Sequence, residues 1–209
     1  YWAVCSYAPS ATVFTLCSGR PHADGRAALV MGVANERIPF AREEAAAVAQ
    51  ALGVEAIVDA DVTLERFLSA APDQDIVHLA CHGLFRADNP MFSALRLADG
   101  WLTAADVIEG SYRGALVTLS ACESGRSEVI GGDELIGLTR AFLGAGATSV
   151  VVSQWLAHDE PTSELMANFY QALRTGVTRA EALRAAQLQV RARHSHPYYW
   201  APFALVGKR

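Results

Sequence analysis

Two apolar runs in this chain end in side chains that could do chemistry together. Ile76-Val-His-Leu-Ala leads into Cys81-His82-Gly83, and Leu116-Val-Thr-Leu-Ser-Ala leads into Cys122-Glu-Ser-Gly125. A thiol beside an imidazole is the minimum set for nucleophilic cysteine catalysis. A free thiol, with a pKa of about 8.5, is only a few per cent ionised at neutral pH, so the imidazole must take its proton or stabilise the thiolate. Gly83 permits a backbone turn that aims an N–H at a reacting carbonyl. The Cys122 N–H is a second such donor, and two donors make an oxyanion hole. Each residue also has a plain structural reading. A cysteine on an apolar strand is usually a small buried hydrophobe, the reading taken here for Cys5, Cys17 and Cys81. A histidine after a strand is usually a packed residue. At this level His82 and Cys122 stay open between the two.

Other chemistries find less support. His78, Cys81 and His82 are close in sequence, but alternation along a strand puts His78 with His82 and Cys81 on the other face, so three metal ligands do not share a face. The chain has no G-x-x-x-x-G-K-[ST], no G-x-G-x-x-G opening a helix and no G-x-S-x-G. Nucleotide binding and the simple serine-hydrolase reading therefore have no motif behind them, and no cofactor or metal is expected.

The elements that must position His82 and Cys122 alternate in type. Apolar runs at 27–33, 54–60, 75–80, 115–120, 149–155 and 203–206 read as six strands. Helical patterns lie at 39–53, 62–71, 133–143, 160–174 and 178–193, with Gly53 a helix stop, Asp61 an N-cap, and Thr178 with Glu181 a capping box. A hairpin is expected at 94–102 around Ala98-Asp99-Gly100, followed by a short helix from Thr103. Residues 1–7 read as an extra edge strand and 9–16 as a short helix. Strands alternating with helices give an α/β fold with a mainly parallel sheet covered on both faces. In such a sheet ligands bind beyond the carboxyl ends of the strands, where His82 and Cys122 fall if their strands are neighbours. The loops 85–92 and 123–132 are the longest irregular pieces, and 123–132 is expected to be mobile and to wall the cleft.

With 209 residues, 52% hydrophobic and 19% charged, the composition is that of a globular domain. A net charge of −5 argues against a nucleic-acid surface, which needs clustered Lys and Arg. The longest apolar stretches are far too short to span a bilayer. Four scattered cysteines without C-x-x-C are not a disulfide framework, and a reducing, cytoplasmic setting is expected.

The block from Asp75 to Gly83 resembles the His-Gly block of caspase-like (clan CD) cysteine peptidases, and the block from Leu119 to Gly125 resembles their nucleophile block. More narrowly, the chain resembles the CHAT domain, a caspase-like module often fused to tetratricopeptide repeats. Matching pieces are Tyr7-Ala-Pro-Ser10, Gly131-Gly-Asp-Glu134, Gly137-Leu-Thr-Arg-Ala-Phe142, Ala145-Gly-Ala147, Ser153-Gln-Trp155 and His196-Pro-Tyr-Tyr-Trp-Ala-Pro202. The resemblance covers nearly the whole of 1–209, read as one domain and as a piece of a longer chain lacking its N-terminal part. It implies a caspase–haemoglobinase-like three-layer sandwich with a six-stranded sheet in the order 2-1-3-4-5-6. It also implies a His82–Cys122 dyad with Gly83 and Cys122 as oxyanion donors, and cysteine endopeptidase activity. The runner-up is a catalytically silent scaffold that binds peptides or partner domains. A repeat or other regulatory domain is an expected partner, beside the protein substrate. Asp75, at the far end of its strand, is not expected in a triad, and His194 and His196 are assigned to structure. The fifth strand's exit would border the cleft, placing Ser153 and Trp155 in a substrate-binding wall. Asp159 resembles the separase aspartate, four residues after a Trp, that binds a basic residue before the cleaved bond. Ala157 and His158 depart from that pattern, and Asp159 is equally an N-cap for the helix at 160–174. The resemblance thus implies cleavage after Arg or Lys.

Overall fold

The computed structural model describes residues 4–209 apart from 22, 24, 26, 37, 85, 87–88, 123–135 and 156–158, and for Cys122, Ile136 and Asp159 the backbone alone. In chain order the elements are α1 (Ala11–Gly19), β1 (Ala28–Gly32), α2 (Ala41–Leu52), β2 (Ala56–Val58), α3 (Leu64–Ala70), β3 (Ile76–Leu84), β4 (Ala94–Arg96), β5 (Trp101–Thr103), α4 (Ala104–Glu109), β6 (Leu116–Cys122), α5 (Ile136–Gly144), β7 (Ser149–Ser153), α6 (Asp159–Leu173), α7 (Arg179–Arg193), α8 (Pro197–Trp200) and β8 (Phe203–Gly207).

The main sheet runs β2-β1-β3-β6-β7-β8, parallel throughout except for β8, which is antiparallel to β7. Counting only these six strands in chain order, this is the 2-1-3-4-5-6 arrangement expected. The hairpin β4–β5 joins the same sheet, because β4 pairs antiparallel with the last three residues of β3. That pairing explains why β3 runs four residues past the expected Ala80: His82, Gly83 and Leu84 keep a ladder partner. β2 is shorter than its apolar run, since Asp59 adopts a left-handed φ of 50° and ends it. The Asp59 carboxylate then accepts from the Ala34 N–H at 3.1 Å and pairs with Arg42. At the N-terminus, Tyr7 makes a parallel bridge to Val206 on β8, while residues 1–3 of the expected edge strand lie outside the described residues.

Helices cover both faces because the strands are apolar on both. On one side Val30, Ile76, Leu116, Val151 and Leu205 pack against Val48 of α2, Leu165 and Phe169 of α6, and Leu183 and Val190 of α7. On the other, Leu29, Val77, Leu79, Val117, Leu119 and Val150 pack against Cys17 of α1, Phe67 of α3, Val107 of α4, and Leu138 and Phe142 of α5. α2 stops where expected, with Gly53 at φ 76° in the left-handed region. Thr178 and Glu181 form their capping box, and the two hydrogen bonds from Thr178 hold the Glu181 carboxyl below its usual range.

Two buried polar clusters were not read from the sequence. His78 is wholly buried in β3, with Nδ1 3.2 Å from the Tyr170 hydroxyl, which donates onward to Thr118 Oγ1 at 2.7 Å. Its Nε2 lies 3.1 Å from Glu44, an ion-pair distance without hydrogen-bond alignment. Burial is the main influence that pushes the Tyr170 hydroxyl far above its usual range. At the other end of the sheet, the buried Arg179 guanidinium donates to Thr148 Oγ1 at 2.6 Å, Ser149 Oγ at 2.7 Å and the Gly114 carbonyl at 3.2 Å. Burial lowers its pKa to about 10. Among the described residues, no helix is long and apolar enough to cross a membrane.

Candidate active site

The register of β3 and β6 sets His82 directly opposite Cys122 on adjacent parallel strands. Paired positions on neighbouring strands share a face of the sheet, with strands about 4.8 Å apart. The two positions thus share one face of the sheet at the carboxyl rim. On its other side His82 is opposite Arg96 of β4, which is opposite Trp101 of β5. The row His82-Arg96-Trp101 therefore crosses three strands on that same face. The imidazole meets the Trp101 ring edge to face, with centroids 6.1 Å apart, and the Arg96 guanidinium stands 5.5 Å from the Trp101 ring centre. His82 Nδ1 is buried and has no hydrogen-bond partner among the described residues. The sequence reading missed Arg96 and Trp101; their hairpin was visible, but not the antiparallel pairing that carries it to His82.

Backbone directions follow from the ladder. The Leu116 N–H donates to the Asp75 carbonyl at 2.9 Å, and the Val33 N–H donates to the Ala80 carbonyl at 2.8 Å. In a parallel pair, alternate residues turn their N–H and C=O to alternate sides. The even positions of β6 and the odd positions of β3 thus face the seam between these two strands. Both expected oxyanion donors, the N–H groups of Gly83 and Cys122, point into this seam at its carboxyl end. Gly83 is not at a turn, however. It stays in extended β3 opposite Leu95, because β4 continues the ladder there.

β7 contributes the third rim. The Ser153 hydroxyl, expected to meet substrate, is only 4% exposed and donates to the Ala121 carbonyl at 2.8 Å. Its polar atom is committed to the strand that carries Cys122, which corrects the expectation of a substrate-facing side chain. Trp155 is exposed at the rim, and its indole N–H donates to the Tyr198 carbonyl at 3.1 Å. That bond ties the exit of β7 to α8, whose N-cap is His196, its Nδ1 accepting from the Tyr198 N–H at 3.2 Å. Asp159 is the first residue of α6 rather than the residue before it, and its backbone places it beyond the end of β7.

The first turn of α5 packs against the turn at Pro90, which follows β3. A Cβ on Gly137, in the first turn of α5, would lie 2.6 Å from the carbonyl carbon of Pro90. Glycine is thus required where the helix after the Cys122 loop rests on the turn after the His82 strand. The loop 123–132, expected to wall the cleft, lies outside the described residues. Asp75 sits at the opposite end of β3 and accepts from the Ala27 N–H at 3.3 Å. His78, Cys81 and His82 do not converge: His78 faces Glu44 and Tyr170, and Cys81 is buried on the opposite face. Cys17 is buried too, and burial pushes its thiol pKa up. Cys5 is exposed, contrary to the expected burial, because the segment 4–8 lies along the sheet edge rather than within it.

Residues 3–208 match the model of the CHAT domain family. Tetratricopeptide repeat protein 28 of Homo sapiens is 31% identical over 210 residues, which covers 81% of this chain and 8% of that protein. The chain thus spans a small part of the curated relatives it matches. Among solved structures, the Arg specific cysteine proteinase gingipain R superposes with a TM-score of 0.68 at 13% identity, covering 91% of this chain and 48% of that one. Separase in the Saccharomyces cerevisiae separase–securin complex superposes with a TM-score of 0.63 at 11% identity, covering 97% of this chain and 14% of that one.

Proposed function

The chain belongs to the CHAT domain family and has the caspase-like fold of the clan CD cysteine peptidases, and from that premise we propose that it is a cysteine endopeptidase working through His82 and Cys122. The observation that carries the proposal is the register that sets these two residues opposite each other, with the N–H groups of Gly83 and Cys122 turned into the seam beside them. His82 takes the Cys122 proton, and the thiolate attacks a peptide carbonyl to form a C–S bond. The two N–H groups hold the resulting oxyanion. His82 returns the proton to the leaving amine as the C–N bond breaks. Water, deprotonated by His82, then cleaves the thioester and restores the thiol.

Specificity for Arg or Lys before the cleaved bond is part of the proposal. A carboxylate from Asp159, beyond the end of β7, can accept two N–H bonds from a guanidinium. The fold neighbour gingipain R is itself described as Arg specific. A regulatory partner fits the same picture, since a relative is a tetratricopeptide repeat protein and the separase neighbour is bound to securin. A cytoplasmic setting is proposed with it.

The silent-scaffold reading draws on one observation: the paired rung at His82 and Cys122 keeps both N–H groups inside the ladder. Profiling with a fluorogenic peptide library decides between the two. Cleavage after Arg or Lys is expected, with a loss of at least about 1,000-fold in Cys122→Ala. Asp159→Ala should lose roughly 30-fold after Arg, the effect of removing one partner of a buried charge pair. No cleavage, together with no labelling of Cys122 by a thiol-reactive peptide ending in Arg, would establish the scaffold.

A further inference from the structure

We infer that Ser153 is a positioning residue for the oxyanion donor at Cys122, a role that rests on the peptidase reading above. The β6–β7 ladder ends at the pair Leu119 and Val152. β7 is paired with β8 along its whole length, and just past it the Gln154 N–H donates to the Pro202 carbonyl at 2.6 Å. The Ala121 carbonyl still points to the β7 side, as the Ala115 carbonyl does when it accepts from the Thr148 N–H at 3.0 Å. No backbone N–H of the paired β7 residues reaches it there. The Ser153 hydroxyl supplies the missing donor, at 2.8 Å in a site where the side chain is only 4% exposed.

The carbonyl so held belongs to the peptide that joins Ala121 to Cys122. That peptide is planar and trans, so its C=O and its N–H point in opposite directions. Holding the carbonyl toward β7 aims the Cys122 N–H into the seam with β3, where the oxyanion forms. The bond also polarises the peptide and makes its N–H the stronger donor, an effect enlarged where water is excluded. Ser153 touches neither substrate nor the reacting atoms. It fixes the plane of that peptide from the β7 side, where the β6–β7 ladder has ended, while the β3–β6 ladder runs on to the His82–Cys122 pair.

The test separates oxyanion binding from thiolate reactivity. A peptide aldehyde with Arg at its end forms a hemithioacetal whose oxygen occupies the oxyanion site, whereas iodoacetamide needs only the thiolate. Ser153→Ala should weaken aldehyde inhibition and lower kcat by roughly tenfold each, about the effect of one lost hydrogen bond, with KM little changed. Alkylation of Cys122 by iodoacetamide should keep its rate, and Ser153→Thr, which retains the hydroxyl, should restore both losses. If Ser153→Ala fails to fold, Ser153→Cys keeps the volume with a far weaker donor and carries the same comparison. An active wild-type protein whose Ser153→Ala variant keeps its aldehyde affinity and kcat would overturn the role. So would an equal loss of iodoacetamide alkylation, which would mark a displaced strand. A wild-type protein that neither cleaves nor binds the aldehyde would remove the peptidase reading itself, and this role with it.

Discussion

At the N-terminal ends of β6 and β7, polar backbone and side chains are closed off by a dedicated group. Arg179 donates to two hydroxyls and a carbonyl, and Thr148 Oγ1 donates in turn to the Gly114 carbonyl at 2.8 Å. At the carboxyl ends of β3 and β6 the described residues supply fewer partners. Among the described residues, His82 Nδ1 is buried without a partner, and the Ser153 hydroxyl steadies the Ala121 carbonyl. Buried polar groups are normally satisfied, so an unmet one at a strand end is a place where stability has been left unused. If the proposed function holds, the two rims divide the work: one holds the sheet together and the other carries the groups that meet substrate.

Substitutions should show the same division. The largest expected effect is at the open rim. His82→Ala should lower peptide cleavage by about 1,000-fold or more, while its thermal unfolding stays within about 1 kcal/mol of the parent, since an already unmet polar atom is lost with the ring. A comparable loss of stability would mean that His82 belongs to the structural rim instead. At the closed rim the pattern should invert. Arg179→Met leaves a buried carbonyl and two hydroxyls short of a donor and should lower unfolding free energy in urea by about 1–3 kcal/mol. Cleavage per folded molecule should be unchanged; a fall in kcat would break the comparison.

The middle of the sheet should rank next. Tyr170→Phe removes the hydroxyl between His78 and Thr118 and should cost about 1–2 kcal/mol in the same measurement, with kcat within twofold. The smallest effect is expected far from both rims. Thr178→Ala removes an N-cap and should cost about 1 kcal/mol. That cap should also fade in acid. Glu181 has its folded pKa depressed by Thr178, so its contribution is present above the ordinary glutamate pKa and is lost as pH falls through the lower folded value. A Thr178→Ala penalty unchanged in acid would show that Glu181 takes no part.

What the sequence could show of this division follows from range. Six apolar runs and the helical patterns between them are local signals, and with the family resemblance they placed His82 and Cys122 on neighbouring strands. The hairpin 94–102 was visible as a turn. Its strands, at three residues each, were too short to reveal that they extend β3. His78 reads as one polar residue in an apolar run, because its partners Glu44 and Tyr170 come from helices on distant parts of the chain. Ser153 was noticed for its position, but its role depends on a carbonyl of another strand. Asp159 was read one residue outside the helix that it begins, an ordinary uncertainty of helix ends.

The hairpin has one more consequence, in the order in which amide protons would exchange with solvent. β1 borders β3 up to the pair Gly32 and Ala80, and β4 takes over from His82 to Leu84, while β6 borders the opposite edge from Ile76 to His82. An amide between two strands opens only when much of the sheet opens, so those of β3 should be among the slowest in the molecule. β6 loses its ladder with β7 after Leu119, so the Ala121 amide, which faces that side, should exchange sooner. The imidazole is thus mounted on a strand held along both edges, and of the two strands at this seam it is β6 that has the freer carboxyl end.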